Sequence, residues 1–259
     1  MILKLYQVDA FTSELFKGNP AAVCPLDKWL DDKILQNIAA ENNLSETAFY
    51  VREKDVYRLR WMTPTIEVDL CGHATLASAH VLFNVLKEAE NEIRFDTRSG
   101  ELIVTKTGEL MTLNFPARRP KKIEITAQHL GCINIEPEAV LFHTKLMFVL
   151  KNESEVQNAV PNFEEIRKLN SDGLIITARG NEVDFVSRYF APHAGIPEDP
   201  VTGSAHTVLT PYWSEQLGKK KLTARQISKR GGSLVCEDLG DRVNISGDAV
   251  LYSVGEIYL

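Results

Sequence analysis

The sequence lacks the features that would place the protein in a membrane or on a nucleic acid. Its longest apolar stretch, Ala74 to Val85, is broken by Ser78, His80 and Asn84 and falls short of the roughly 20 residues that a membrane-spanning helix needs. The first ten residues alternate like a strand and show no signal-peptide pattern, which predicts a cytoplasmic protein. The net charge of −6 offers no basic surface for a phosphate backbone. We therefore expect neither a nucleic-acid nor a membrane partner.

Cysteine is scarce, and no two cysteines are close in sequence. The chain has four of them and no CxxC pair: Cys24, Cys71, Cys132 and Cys236. This spacing fits reduced thiols better than a disulfide framework or a zinc site. The sequence therefore predicts no structural metal.

An internal repeat is present at a spacing of about half of the 259-residue chain. Segments Tyr57–Pro64 and Phe185–Pro192 share a series of basic, aromatic, apolar and small residues that ends in proline. Each copy continues through an acidic loop into a glycine turn, in Asp69–Thr75 and in Asp199–His206. Because proline cannot continue a strand ladder, each copy predicts a strand, a turn and then a helix.

The two predicted helices differ in one respect. The first, after Gly72, has almost no polar stripe and should be buried. The second, Thr207 to Leu217, contains Pro211, so it either bends there or begins with a short first piece. The rest of the chain is typical of strands separated by turns, including a predicted strand at Gln226 to Ser228.

These patterns predict an α+β protein with two domains, in each of which strands surround a buried helix. We place an N-terminal domain at residues 1–116, which the last strand at 250–259 could complete, and a C-terminal domain at residues 117–249. Residues 116–120, with proline at both ends, mark the crossing between them.

The glycines at the two helix starts are candidate ligand-binding positions. Free backbone N–H groups and the positive end of a helix dipole would point from Gly72 and Gly203 toward a carboxylate or an oxyanion. The alternative is that both glycines only permit tight turns. Their matched context in the repeat favours binding.

Glu46 is the candidate acid–base group. It follows a predicted helix and precedes an apolar strand, so its carboxyl group could be partly buried and poised to take up and return a proton. The alternative is a solvated loop glutamate. His73 could orient a substrate, transfer a proton or only cap its helix.

Asp199 and Ser204 flank the second glycine. Asp199 could accept a hydrogen bond from a substrate, or it could serve a turn or a cap. Ser204 lies outside any GxSxG motif, so hydrogen bonding is a better interpretation than nucleophilic attack. Cys71 and Thr202 occupy matching places before the two glycines, where a racemase would need two proton-transfer groups, and an alcohol such as Thr202 is a very weak acid.

Four ordered motifs resemble the phenazine-biosynthesis-protein F-like family: Gly18-Asn19-Pro20-Ala21-Ala22-Val23, Asn43-Leu44-Ser45-Glu46-Thr47-Ala48-Phe49, Cys71-Gly72-His73-Ala74-Thr75 and Glu198-Asp199-Pro200-Val201-Thr202-Gly203-Ser204-Ala205-His206. With Arg230-Gly231-Gly232 and Gly247-Asp248-Ala249-Val250, the resemblance covers nearly the whole chain.

The resemblance implies two diaminopimelate-epimerase-like domains, each a barrel-like sheet around a central helix, with the active site between them and commonly a homodimer. It implies a cofactor-free isomerase that acts on a small carboxylic acid in a biosynthetic process. Glu46 would be the proton shuttle, assisted by His73 and Asp199. Gly72, Gly203 and Ser204 would bind the substrate, with Cys71 and Thr202 beside them.

Two alternatives stay open at this point. A racemase could use Cys71, although Thr202 stands where diaminopimelate epimerase has its second cysteine. A non-catalytic protein that binds a small acid could keep the same fold.

Overall fold

The computed structural model describes residues 1–259 in full and divides into two compact units. The first consists of Met1–Asn114 and Ser246–Leu259, and the second of Phe115–Ile245. The last residues of the chain thus belong to the first unit. None of the helices is long and apolar enough to cross a membrane.

The first unit is a mainly antiparallel sheet. Its strands are β1 (Ile2–Ala10), β2 (Asn19–Leu26), β3 (Glu46–Glu53), β4 (Val56–Met62), β5 (Glu67–Val68), β6 (Glu92–Thr97), β7 (Gly100–Thr107), β8 (Leu110–Pro116) and β18 (Ala249–Tyr258). They pair in the order β18-β1-β2-β3-β4-β6-β7-β8, and β5 pairs with β4. The β2–β3 and β4–β6 pairs are parallel.

Two helices complete this unit. Helix α1 (Asp32–Asn42) begins at Asp31, whose carboxylate accepts from the Lys33 amide, and ends at Asn43 in the left-handed conformation. Helix α2 (Gly72–His80) is buried along its whole length and continues into a π-helical turn at Val81–Val85. The predicted burial of this helix is confirmed.

The second unit repeats the same pairing pattern. Its strands are β9 (Lys121–Ile123), β10 (Ala139–Phe142), β11 (Leu146–Val149), β12 (Leu174–Arg179), β13 (Phe185–Ala191), β14 (Ile196–Asp199), β15 (Lys221–Gln226), β16 (Gly232–Asp238) and β17 (Arg242–Gly247). They pair in the order β9-β10-β11-β12-β13-β15-β16, with β14 on β13. The β11–β12 and β13–β15 pairs are parallel, at the places equivalent to the parallel pairs of the first unit.

One predicted strand is wrong. Residues 227 and 228 lie outside β15, which instead begins at Lys221. Its side chains alternate between exposed and buried, with Lys221 and Arg225 on the exposed face and Leu222 and Ala224 on the buried one. Only two of its residues are apolar, so the alternation was weak in sequence.

The second unit contains four helices and a short 3-10 turn at Pro192–Ala194. Three are short: α3 (Ala127–Leu130), α4 (Glu153–Asn158) and α5 (Phe163–Arg167). The long helix α6 (Gly203–Leu217) runs through Pro211 without a break, so it has no separate first piece. Proline has no N–H to bond the carbonyl four residues earlier, and here the Arg118 amide donates to that carbonyl, Thr207 O, at 2.9 Å.

Each unit has its own apolar core. In the first, the rings of Trp61, Phe49 and Phe95 are almost fully buried, and in the second those of Phe148 and Phe190 are. Burying a side chain of this size stabilises a fold by about 1.5–3 kcal/mol. These cores fix the helix starts on which the candidate residues lie.

Candidate active site

Glu46 is the first residue of β3, where it lies opposite Ala21 of the parallel strand β2. A tight connection leads to it from α1, since Asn43 takes a left-handed conformation and the Asn42 side chain donates to Thr47 Oγ1 at 3.1 Å. The Glu46 side chain is 12% exposed. It is therefore partly buried, as expected from the sequence.

His73 joins three side chains around its ring. Its Nε2 lies 3.1 Å from Glu46 Oε2, and its Nδ1 lies 3.1 Å from Asn19 Nδ2 and 3.5 Å from Cys71 Sγ. His73 makes no helix cap, because the N-cap residue of α2 is Cys71 and no side chain caps that end. The structure thus brings Glu46, Cys71 and His73 together at the start of α2.

Asn19 holds the ring of His73 from the other side, and the sequence did not single it out by itself. The signal was the preceding Gly18, which has φ +63° and where an added Cβ would collide with the carbonyl oxygen of Ala10. This glycine lets the chain turn tightly into β2, so that Asn19 is fully buried beside His73. Its side-chain amide thus contacts the edge of the His73 ring that carries Nδ1.

The charges of this cluster shift the pKa values of its members. Burial acts to lower the pKa of His73, but its neighbours Cys71 and Glu46 outweigh burial and raise that pKa well above its usual value. Burial, followed by the charge of Glu46, raises the pKa of the Cys71 thiol to about 11. Cys71 is consequently a thiol at neutral pH, so the carboxylate of Glu46 is the partner that favours a charged His73 there.

The start of α2 leaves backbone donors available. Gly72 is its first residue, and no side chain caps this end of the helix. The Cys71 carbonyl is bonded by Thr75 Oγ1 at 2.5 Å. The N–H groups of the first turn and the positive helix end can therefore bind a negatively charged group.

In the second unit, Asp199 and Thr202 form a hydrogen-bonded network with Gln226. Thr202 Oγ1 donates to Asp199 Oδ2 at 2.5 Å, and the Thr202 amide donates to Gln226 Oε1 at 2.8 Å. The Gln226 amide group donates in turn to the Asp199 carbonyl at 2.7 Å. Asp199 is thus held by the N-cap residue of α6, and all three side chains are buried.

Gly203 and Ser204 are the first two residues of α6, which also has no side-chain cap. Four residues after the cap position, His206 Nδ1 lies 2.8 Å from the Thr202 carbonyl. Burial lowers the pKa of His206 to about 4, so it is neutral at pH 7. Nδ1 then carries the proton and donates to the carbonyl.

Gln226 and Lys145 were missed by sequence reasoning. Lys145 is 5% exposed, with its ammonium 3.8 Å from Asp172 and over the ring of Tyr189. Burial lowers its pKa to about 8, against the opposing charge of Asp172. The sequence around a lysine next to a short strand gives no sign that the lysine is buried.

Comparison with known proteins shows which family the chain resembles over its length. The family described as phenazine biosynthesis-like protein matches residues 8–255. The chain belongs to this family. An uncharacterized isomerase of Pseudomonas aeruginosa is 50% identical over 259 residues and is covered completely, as is this chain.

The fold is shared with solved structures of the family. A crystal structure of a phenazine biosynthesis protein F family member from Enterococcus faecalis superposes with a TM-score of 0.97 at 49% identity, with full coverage of both chains. The likeness extends to a probable proline racemase from Agrobacterium radiobacter, with a TM-score of 0.66 and 11% identity over 99% of this chain and 93% of that one. That second likeness concerns the fold alone, and together they confirm the predicted fold class.

Proposed function

We propose that the protein is a cofactor-independent isomerase that moves a proton on a small carboxylic acid, with Glu46 as the general acid–base group. The observation that carries this proposal is the partly buried Glu46 carboxylate, 3.1 Å from His73 at an uncapped helix start. A carboxylate held in this way can take a proton from one carbon of a substrate and return it to another. The isomerase name of the Pseudomonas aeruginosa relative supports the same class of reaction.

The proposed reaction has two proton transfers. Glu46 takes a proton from a carbon of the substrate, so that a C–H bond breaks, an O–H bond forms and the electron pair enters the conjugated system of the substrate. The protonated Glu46 then returns the proton to a different carbon, which restores the carboxylate. His73 keeps the carboxylate in place and balances its charge, while the amides at Gly72 hold an anionic group of the substrate.

The residues of the second unit have a binding role in this proposal. The start of α6 at Gly203 and Ser204 offers amide and hydroxyl donors to a carboxylate. Asp199, fixed by Thr202, can accept a hydrogen bond from an amine or hydroxyl group of the substrate. The proposed substrate is therefore a cyclic or amino acid with a carboxylate and a second polar group.

The test is proton NMR in heavy water with a panel of cyclic and amino carboxylic acids, including dihydro-hydroxyanthranilate. Wild-type protein should introduce deuterium at a carbon of one panel member, and Glu46→Gln should lower that rate at least ~100-fold because the amide cannot act as the base. Glu41→Gln, at an exposed glutamate of α1, is the matched control and should retain the wild-type rate. A fully active Glu46→Gln protein would remove Glu46 from the mechanism.

A second candidate reaction is racemisation through Cys71. Its supporting observation is the contact of 3.5 Å between Cys71 Sγ and His73 Nδ1. Against it, the matching position holds Thr202, whose hydroxyl group donates to Asp199 and is a very weak acid. Cys71→Ser should therefore leave the exchange within a few-fold of wild type, whereas a loss as large as that of Glu46→Gln would favour the cysteine reaction.

A further inference from the structure

Lys145 is a buried cation of the second unit that the proposed reaction does not use. The residue is only 5% exposed. Its ammonium group lies over the ring of Tyr189, and the carboxylate of Asp172 lies at 3.8 Å, beyond hydrogen-bond distance. The Asp172 side chain is itself 61% exposed, so its charge is well screened by water. Because lysine is almost never fully buried unless it is paired, this ammonium group calls for a further partner.

Strand alternation places the Lys145 side chain on the face of the sheet that α6 covers. Lys145 directly precedes β11, whose Leu146 and Phe148 pack into the apolar core beneath α4 and α5. Side chains alternate between the two faces along a strand, so Lys145 points to the opposite face. Helix α6 lies on that face, where the indole of Trp213 donates to Thr177 Oγ1 of β12 at 2.9 Å.

Asp199 lies on the same face, near the Lys145 ammonium group. This group is 5.4 Å from the centroid of the Tyr189 ring, and Tyr189 is paired with Asp199 in the β13–β14 ladder. Paired residues of an antiparallel ladder share a face, with Cβ atoms about 4.5–5.5 Å apart. Burial lowers the pKa of Lys145 to about 8, while the charge of Asp172 opposes this shift, that of Arg118 assists it and that of Asp199 opposes it. Lys145 is thus within electrostatic reach of a proposed substrate-binding residue.

The repeat shows which residue of the second unit corresponds to Glu46. Glu46 directly precedes the strand partner of Met62, and Gly173 directly precedes the strand partner of Phe190, the matching residue of the second copy. The parallel register of β11 and β12, continued by one residue, puts Lys145 opposite Gly173. The start of the second central helix therefore has a cation nearby where the first has a carboxylate.

We propose that Lys145 binds the carboxylate of the substrate together with the start of α6. The uncapped N–H groups at Gly203 and Ser204 offer neutral donors, and Lys145 adds a full positive charge with three donors. Charge-assisted hydrogen bonds are about twice as strong as neutral ones, and a bound carboxylate also gives the buried ammonium group its missing acceptor. The proposal rests on the proposed function, which assigns a carboxylate to the α6 start, but it requires no role for Glu46.

Binding is measured by titration calorimetry with two probes that differ in charge, anthranilate and 2-aminobenzamide. Both are aromatic, so the measurement reports binding without isomerisation, and wild type should bind anthranilate more tightly. Lys145→Met keeps a side chain of similar length and removes the charge, so it should weaken anthranilate binding ~10–100-fold and leave binding of the amide unchanged. Lys151→Met, at an exposed lysine of the same unit, is the matched control and should bind both probes as wild type does.

Two further measurements separate ligand binding from a structural role. Replacing a buried charge by an apolar side chain is often neutral or stabilising, so Lys145→Met should unfold at the same urea concentration as wild type or at a higher one. In protein with ¹³C-labelled lysine, NMR should show Lys145 titrating near pH 8 without ligand and at higher pH with anthranilate, because a bound carboxylate favours the charged form. A purely structural lysine would titrate at the same pH in both samples.

Equal affinity of wild type and Lys145→Met for anthranilate would overturn the proposal, as would a Lys145 titration that anthranilate does not move. A wild-type protein that binds anthranilate no more tightly than 2-aminobenzamide would overturn it as well. The heavy-water exchange assay tests the proposed function separately. A Glu46→Gln protein with full exchange activity would refute the role of Glu46 and leave the binding result for Lys145 standing, so the two failures are distinguishable.

Discussion

The starts of α2 and α6 share the same backbone arrangement but are surrounded by different side chains. Both helices begin with glycine after a residue whose side chain does not cap them. In both, a side chain four residues after the cap position bonds the cap carbonyl: Thr75 to Cys71 and His206 to Thr202. The repeat therefore preserves a backbone arrangement that can bind an anion.

The side chains around these helix starts differ in how fully they are hydrogen-bonded. In the first unit, Glu46 Oε2 and His73 Nε2 face each other without an aligned hydrogen bond. In the second unit, Thr202 and Gln226 make several bonds with each other and with Asp199. The repeated scaffold thus carries an incompletely hydrogen-bonded cluster in one copy and a fully connected network in the other.

The largest stability effect should come from removing the centre of the second network. Gln226→Ala leaves the buried Thr202 amide and the Asp199 carbonyl without this partner, so we expect a loss of about 3 kcal/mol in the free energy of unfolding. Urea denaturation measures the loss, and amide hydrogen exchange should locate it in α6. The control Gln216→Ala changes an exposed glutamine of the same helix and should stay within about 0.5 kcal/mol.

A Gln226→Ala protein as stable as the control would break the comparison. It would mean that the network around Thr202 is dispensable and that the second helix start is no more rigidly fixed than the first.

Much of the fold was predictable because its signals are local. Proline and glycine mark the ends of strands and helices in both copies, and an apolar stretch without a polar stripe predicted the buried α2. Strand β15 was misplaced because Lys221 and Arg225 alternate with only two apolar residues. The continuity of α6 through Pro211 depends on the distant Arg118 amide, which no local pattern shows.

The sequence singled out most residues of the candidate site, but it did not show which of them contact one another. Glu46, Cys71 and His73 each stood out in sequence, yet their meeting depends on the β2–β3 register and on the burial of α2. Gln226 has no such signal, because a glutamine that ends a strand of alternating exposure looks like a surface residue. The roles of all these residues remain predictions for the experiments above.

The two histidines at the helix starts should respond to pH in opposite directions. His206 has a pKa of about 4 in the folded protein against 6.5 when unperturbed, so the unfolded chain binds more protons between these values. Its contribution to stability is present above pH 6.5 and is lost as the pH falls toward 4, by up to about 3 kcal/mol. His73 has a raised pKa, so its contribution is fully present below pH 6.5 and is lost as the pH rises above 6.5 and through the raised pKa of the folded protein.

This difference is measured by the pH dependence of unfolding for wild type and His206→Gln. Because His80 also has a pKa of about 4, only the difference between the two proteins reports on His206. We expect the variant to lose part of the acid-side slope. An unchanged slope, or a His206 imidazole that titrates near pH 6.5 by NMR, would contradict the assigned burial effect.

The smallest expected effect is the coupling energy of an arginine–glutamate ion pair that occurs in both units. Arg60 binds Glu67 through two bonds of 2.8 and 2.7 Å, and Arg188 binds Glu198 through two of 2.7 and 3.0 Å. Both arginines also lie over an aromatic ring. Since both pairs are bidentate and partly buried, double-mutant cycles with Arg→Met and Glu→Gln should give a similar coupling of about 1 kcal/mol in each unit.

The exposed pair of Arg94 and Glu92 provides the reference, with a bond of 2.9 Å and both side chains about half exposed. Its coupling should stay below about 0.5 kcal/mol because water and salt screen it. Equal coupling energies in the two partly buried pairs would show that the two copies share the strength of this ion pair as well as its geometry. A coupling at the level of the reference in only one unit would show instead that the framework, like the chemistry at the helix starts, has diverged between the copies.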